Sequence, residues 1–244
     1  MKCQCCESYM SLFNDSSGFD YSKTFKCKSC GHIFWNWQVD KDFIKNYYDN
    51  YRNPQKPIPT KSRIKWSSNI VKYLFSLNLP FENLKYLEIG AFDGIFAKHF
   101  MNQFPNADIF LNEIDSNSCA KYLGDFENVF NCDFLDINGK YDILLAIDVL
   151  EHFPNLELVL EKIKQLDIEY LIFQVPHRRP VRRDIDSRDF HPHYHMFSKK
   201  SIEKLFSKTY DLIHWKSTRH DFSAKGPEQI CIFKKRVTTC TVRV

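Results

Sequence analysis

The chain has 244 residues, 43% of them hydrophobic and 16% aromatic, with a formal net charge of +4; this length can hold one sizeable core plus a small appended module, and this composition is globular rather than disordered. A charge so near balance does not by itself mark a nucleic-acid binder, and no run reaches the roughly 20 apolar residues of a membrane helix, since even YDILLAIDVL is cut by Asp142 and Asp148. The MKCQCC start carries no apolar stretch of the secretory kind, so the expected location is the cytoplasm, and the nine cysteines read as thiols or metal ligands before disulfides.

The first element is a pair of knuckles, Cys3-x2-Cys6 and Cys27-x2-Cys30. Their spacing supplies the four thiolates of a tetrahedral zinc site, and Gly31 allows the tight turn that aims amides at sulfur. Residues 9–13 and 21–27 are expected to pair as strands of a zinc ribbon, with residues 14–18 (NDSSG) as the turn. Cys5 adjoins Cys6 and is the spare thiol. The surrounding charges are mixed rather than basic, so the module is read as a metal staple for a segment with little core of its own. Four thiolates leave no open position for water, and metal catalysis is not expected there.

Residues 40–51 show helical spacing of Phe43, Ile44, Tyr47 and Tyr51. The following NPQKPIP, residues 53–59, cannot continue a helix and marks a boundary. Thr60 then caps a second helix with Ile64, Val71, Leu74 and Phe75 at helical spacing. Tyr47, Tyr51, Arg52 and Trp66 could cover a ligand as a lid, although packing is the plainer role for such residues. The expected division is a zinc-ribbon module at 1–38, a helical linker or lid at 39–80, and a catalytic domain at 81–244.

The stretch YLEIGAFDGIF, residues 86–96, organises the rest. Tyr86, Leu87 and Ile89 form a short buried strand that carries the carboxylate of Glu88, and Gly90 lets the backbone bend sharply into a helix capped by Asp93. Such a turn serves a dinucleotide or a nucleoside without phosphates. A dinucleotide site needs G-x-G-x-x-G so that amides and the helix N-terminus receive a pyrophosphate. Here Phe92 and Ile95 occupy the second and third glycine positions, and Phe92 would crowd a pyrophosphate. E-x-G-A-x-D-G instead resembles motif I of the class I S-adenosylmethionine (SAM) methyltransferases, [DE]-x-G-x-G-x-G, with Phe92 where the middle glycine is usual.

From residue 84 strands and helices alternate, the pattern of a doubly wound α/β sheet. The resemblance implies a Rossmann-like seven-stranded sheet beside the zinc ribbon, with Glu88, Gly90, Ala91, Phe92 and Gly94 forming the cofactor turn. In NEID, after the second strand, Glu113 aligns with the acid that accepts from the ribose hydroxyls, and Asp115 reads as a helix cap. Asp133 and Phe134 match the positions that meet the adenine amino group and ring. The segment DVLEHFPN resembles the family's D-V-L-E-H. It places Asp148 near the methionine ammonium and sulfonium, and makes His152 the first candidate for a catalytic base, ahead of His191, His193 and His195.

A strand over residues 170–175 opens into HRRPVRRDIDSRDFHPHYHMF. Arg178, Arg179, His191 and His193 are the candidate substrate residues, because guanidinium forks suit phosphate or carboxylate groups such as those of a nucleotide-linked sugar. Asp184, Asp186 and Asp189 could equally neutralise a solvated loop. HPHYH has no neighbouring cysteine or clear glutamate partner and is not taken as a metal site. Ser198 caps a further helix, and the last two strands are expected as an antiparallel pair with the final one at the sheet edge.

The resemblance thus implies methyl transfer from SAM to a small-molecule acceptor, with structural zinc, no membrane partner and no nucleic acid. Two alternatives differ in class. A nucleic-acid methyltransferase would show a continuous basic face, whereas the charges here alternate in sign and the N/D-P-P-Y/F motif of amino-methylating enzymes is replaced by DVLEHF. A non-catalytic zinc-ribbon adapter would have lost Gly90, Glu113 or Asp148, and all three are present.

Overall fold

A computed structural model of the chain describes residues 1–13, 22–37, 60–177, 193–217 and 228–237. The expected turn at 14–18, the helix at 40–51 and the boundary at 53–59 lie outside the described residues, as do Cys240 and the 178–192 loop.

The chain begins with β1 (Met10–Leu12), β2 (Ser22–Cys27) and β3 (Ile33–Trp37), then α1 (Lys61–Ser76). There follow β4 (Lys85–Ile89), α2 (Ile95–Gln103), β5 (Asp108–Asn112), α3 (Ser116–Tyr122), β6 (Val129–Phe130) and β7 (Ile143–Ile147). After α4 (Leu156–Gln165) come β8 (Tyr170–Pro176), β9 (His195–Met196), α5 (Lys199–Phe206), β10 (Tyr210–Ser217) and β11 (Glu228–Lys235). Two 3-10 turns, Phe134–Asp136 and Leu150–His152, follow β6 and β7.

The larger sheet has seven strands in the order β10-β11-β8-β7-β4-β5-β6. Strands β4 to β8 are parallel, and β11 runs antiparallel to both neighbours. The expected antiparallel pair is present, but the final strand inserts between β8 and β10, and β10 takes the edge. The strand order reverses at β4, whose neighbours are β5 and β7, and open α/β sheets bind ligands beyond the carboxyl ends of their strands at such a switch point.

Near-continuous apolar strands bury both faces of the sheet, as parallel strands under helices must. Leu87, Ile89, Leu144, Ala146, Leu171 and Phe173 pack on one face. Tyr86, Leu111, Ile143, Leu145, Ile172 and Ile232 pack on the other, with α1 and α2. Helix α1 starts as expected, Thr60 Oγ1 accepting from the Arg63 amide at 3.2 Å. Its buried face is Ser67, Ile70, Val71 and Leu74, while Ile64 and Phe75 are exposed at 38% and 48%. Val71 and Leu74 of the expected stripe are buried, and Ser67 and Ile70 complete the inward face in place of Ile64 and Phe75. Asn155 and Ser198 cap α4 and α5, the latter in a reciprocal capping box with Ser201.

The N-terminal strands form a second sheet, β1-β2-β3-β9, whose fourth strand comes from far along the chain. β1 and β2 pair antiparallel as expected, Met10 opposite Cys27, and β3 pairs with β9 through Ile33–Met196 and Phe34–His195. Cys3, Cys5, Met10, Cys27, Cys30 and Phe34 join the same apolar cluster as Leu144 and Phe173. The N-terminal sheet thus shares a core with the larger sheet and takes its fourth strand from a distant segment, while the metal staple expected there is neither supported nor opposed by this packing.

Candidate active site and cysteine cluster

The turn after β4 is built from three left-handed residues, Gly90 (φ 67°), Phe92 (φ 56°) and Gly94 (φ 63°). A Cβ at Gly90 would stand 2.5 Å from Val149 Cγ2, so a side chain there would collide with the segment leaving β7. A Cβ at Gly94 would meet the Phe126 ring at 2.6 Å. Asp93 does accept from the Ile95 amide at 3.2 Å, but the residue at the helix cap is Gly94, which carries no side-chain cap.

Phe92 tolerates its positive φ because its amide donates to Glu113 Oε2 at 2.8 Å. Glu113 Oε1 accepts from the Asp115 amide at 2.9 Å, and Ala91 N donates to Asn112 O at 3.0 Å. A buried carboxylate at the end of β5 therefore fixes both the first turn and the start of the next. Asp115 caps α3 as expected, accepting from the Asn117 amide. Arg63 was not singled out by sequence. Its guanidinium lies 4.8 Å from the Phe92 ring centre, and its Nε is 2.6 Å from Asp93 Oδ2, so α1 reaches over the turn.

Glu88 is buried below the turn and accepts from the Tyr86 hydroxyl at 3.2 Å. Burial raises its pKa from 4.5 to about 8; Asp93 and Glu113 push the same way, while the Tyr86 hydrogen bond and Arg63 oppose them. The folded chain thus holds this proton more tightly than the unfolded chain does. Stability from this group is complete below about pH 4.5 and is lost as pH rises towards about 8. Glu88→Gln is expected to flatten the fall in melting temperature between pH 6 and pH 8.5, read by thermal denaturation at fixed ionic strength; an unchanged slope would mean that other groups set it.

Asp133 is exposed and caps the 3-10 turn, accepting from the Leu135 amide at 2.9 Å. Phe134 is only 4% exposed and meets the Phe153 ring edge-on at 5.9 Å. Asp148 (φ 54°) is exposed at the carboxyl end of β7, its amide donating to Gln174 O at 2.9 Å. Glu88, Gly90, Ala91, Phe92, Gly94 and Glu113 therefore form one connected turn, with Asp133 and Asp148 at neighbouring strand ends. Trp66 is half-buried against the apolar cluster of α1 and α2, in the packing role.

His152 lies in the turn after Asp148, its ring edge-on to that of His193 at 4.6 Å between centroids. Glu151, fully buried beside it, brings Oε1 to 4.0 Å from His193 Nε2. HPHYH thus has a glutamate partner, one that sequence alone did not reveal because it lies some forty residues upstream. Arg178, Arg179 and His191 fall outside the described residues.

The thiols of Cys3, Cys6, Cys27 and Cys30 all lie within 4.8 Å of one another, with Cys3–Cys30 at 3.6 Å and Cys6–Cys27 at 3.5 Å. Four sulfurs at about 2.3 Å from a tetrahedral zinc would stand about 3.8 Å apart, so this donor set fits. Gly31 takes the left-handed turn (φ 77°) expected of it and donates its amide to Cys27 O. The thiol hydrogen bond from Cys30 holds Cys3 well below the ordinary thiol range and pushes Cys30 up. Cys3, Cys5 and His32 form a second, overlapping set.

A buried chain of imidazoles leads from this cluster to the turn after β7. His195 Nε2 donates to Phe153 O at 2.8 Å, leaving Nδ1 to accept from His32 Nε2 at 3.0 Å, and His32 Nδ1 faces Cys3 Sγ at 3.4 Å. Gln4, between two of the cysteines, accepts from the Leu156 amide at 2.8 Å and donates to Pro154 O. The N-terminal sheet therefore touches the segment just after His152 twice, through Gln4 and through His195.

A family model described as "Methyltransferase domain" matches residues 62–212. Among solved structures, the chain resembles magnesium protoporphyrin IX methyltransferase from Synechocystis with bound SAM, at 15% identity and a TM-score of 0.56 over 82% of this chain and 100% of that one. A putative RNA methyltransferase from Pyrococcus horikoshii matches at 15% identity and a TM-score of 0.52, over 81% of this chain and 100% of that one. The N-methyltransferase NodS from Bradyrhizobium japonicum matches at 13% identity and a TM-score of 0.52, over 70% of this chain and 97% of that one. At these identities the likeness is one of fold. No curated protein matches in sequence.

Proposed function

The chain belongs to the methyltransferase-domain family, and on that premise we propose that it moves the methyl group of SAM to a small-molecule acceptor carrying phosphate or carboxylate groups, such as a nucleotide-linked sugar. The observation that supports this most is the bond from the Phe92 amide to Glu113 Oε2, which seats a buried carboxylate against a glycine turn at the sheet's switch point. In this reading Glu88, Gly90, Ala91, Phe92 and Gly94 cradle the methionine and ribose, and Glu113 accepts from the ribose hydroxyls. Asp133 and Phe134 take the adenine, and Asp148 faces the ammonium. Arg178, Arg179, His191 and His193 receive the acceptor's anionic groups.

The donor is already activated and its leaving group is a neutral thioether, so the protein's task is alignment and exclusion of water. His152 serves the acceptor's proton. Zinc on Cys3, Cys6, Cys27 and Cys30 is structural, and four thiolates hold it closed to substrate. The division into 1–38, 39–80 and 81–244 and a cytoplasmic location, where free thiols persist, complete the proposal.

Titration calorimetry of the zinc-loaded chain with SAM is the test. Saturable one-site binding is expected, and its absence sinks the enzyme reading in favour of an adapter. A steep salt dependence with single-stranded RNA as competitor would move the acceptor to nucleic acid.

A further inference from the structure

We propose that Glu151, His152 and His193 bind a divalent cation, separate from the cysteine cluster, at the acceptor side of the site. One ligand atom of each residue lies within 4.8 Å of the other two. Glu151 Oε1 and His193 Nε2 are 4.0 Å apart, and the two imidazole rings meet edge-on with centroids 4.6 Å apart. With bonds of about 2.0–2.2 Å, ligand atoms around one ion lie about 3–4 Å apart. A small inward movement of the His193 ring closes the set.

The three residues come from two segments that the fold fixes. Glu151 and His152 are adjacent in the 3-10 turn after β7. His193 precedes β9, and the backbone between them is locked: Tyr194 N donates to Glu151 O at 2.8 Å, and Trp35 N donates to Tyr194 O at 2.9 Å. The positions are held from both directions, since β9 is a strand of the ribbon sheet and His195 grips Phe153 O. Glu151 is fully buried, and the His193 side chain is 19% exposed. A wholly buried carboxyl group either keeps its proton, as Glu88 does near neutral pH, or is held beside positive charge. An ion pair with protonated His193 would supply that charge alone, but it would not bring the second imidazole to the same point.

Two imidazoles and one carboxylate suit manganese, iron, cobalt or zinc, and leave coordination positions open. Glu151 and His152 lie three and four residues past Asp148, beyond the carboxyl end of β7, which is the acceptor side in the reading above, and the role of the cation in catalysis rests on that reading. A hydroxyl of the acceptor bound to the cation is acidified, as metal-bound water is. Its proton leaves to solvent, its oxygen forms the new O–C bond, and the breaking C–S bond leaves its electron pair on sulfur. With the cation bound, His152 is a ligand in place of the base and His193 a ligand in place of an anion-binding residue, and the acceptor is a hydroxyl compound.

The experiment is a Mn2+ titration of the zinc-loaded full chain, following the loss of the free-ion electron paramagnetic resonance signal. Manganese competes poorly for thiolates, so the ribbon does not report. One Mn2+ per chain is expected. Glu151→Gln and His193→Asn should each weaken it by more than about 100-fold, a larger loss than removal of an outer-shell partner brings. SAM calorimetry and melting on the same samples show that each variant folds. Should Glu151→Gln unfold, His193→Asn carries the test from a less buried position. No uptake by the wild type, or uptake unchanged in a folded variant, overturns the site. Mn2+ binding without SAM binding leaves the site standing and removes the proposed donor.

Discussion

Glu113→Ala is expected to weaken SAM binding by about 100-fold or more. The carboxylate accepts from the Phe92 amide at 2.8 Å and the Asp115 amide at 2.9 Å, and each such charged hydrogen bond contributes about 1.5–3 kcal/mol. Without it, the left-handed Phe92 loses the acceptor of its amide, and so does Asp115, both in half-buried positions. The proposed ribose contact disappears at the same time. Calorimetry at constant pH reads the affinity, and melting temperature separates local loss from unfolding. Glu113→Gln, which keeps one acceptor oxygen, puts an amide donor in place of the other and removes the charge, should fall between the wild type and the alanine variant. Wild-type affinity in the alanine variant would show that the turn is held by something else and that the donor does not lie against β5.

Removal of zinc is expected to lower the melting temperature of the entire chain. The shift should be at least about 10 °C, which roughly 3–4 kcal/mol produces in a chain of this size. Structural zinc contributes far more than that in isolated zinc-finger peptides. The effect should not stop at the ribbon, because Cys3, Cys27 and Cys30 share an apolar cluster with Leu144 and Phe173, and Gln4 holds the start of α4. Cys27→Ala should reproduce it. The comparison is between zinc-loaded protein and protein treated with a strong chelator, by scanning calorimetry. Coincident melting curves would rule out a structural zinc.

The alternation of strand and helix, the glycine turn and the caps at Thr60, Asp115 and Ser198 were legible in sequence. Each is decided within a few residues, by side-chain period or by a backbone conformation that only certain residues adopt. The Cys-x2-Cys pairs were legible for the same reason, their spacing being that of a tight turn. What escaped were pairings between distant segments. β9 is two residues long and reads as loop, because the strand it joins lies some 160 residues earlier. Nothing in HPHYH announces that one imidazole faces His32 and another faces Glu151. Arg63 was hidden on a helix whose inward face was read only in part. Burial of Glu88 was visible in its apolar strand, but its protonation depends on Tyr86, Arg63, Asp93 and Glu113 together.

The borrowed strand has a consequence for synthesis. β1, β2 and β3 are made long before His195 and Met196 exist, so the small sheet waits three-stranded and open-edged while β4 to β8 of the larger one are made. Its last rung closes only after some 160 further residues have followed β3. Completion of the small sheet is therefore a late event in biogenesis, preceded by the making of β4 to β8 and followed only by that of α5, β10 and β11 among the described elements.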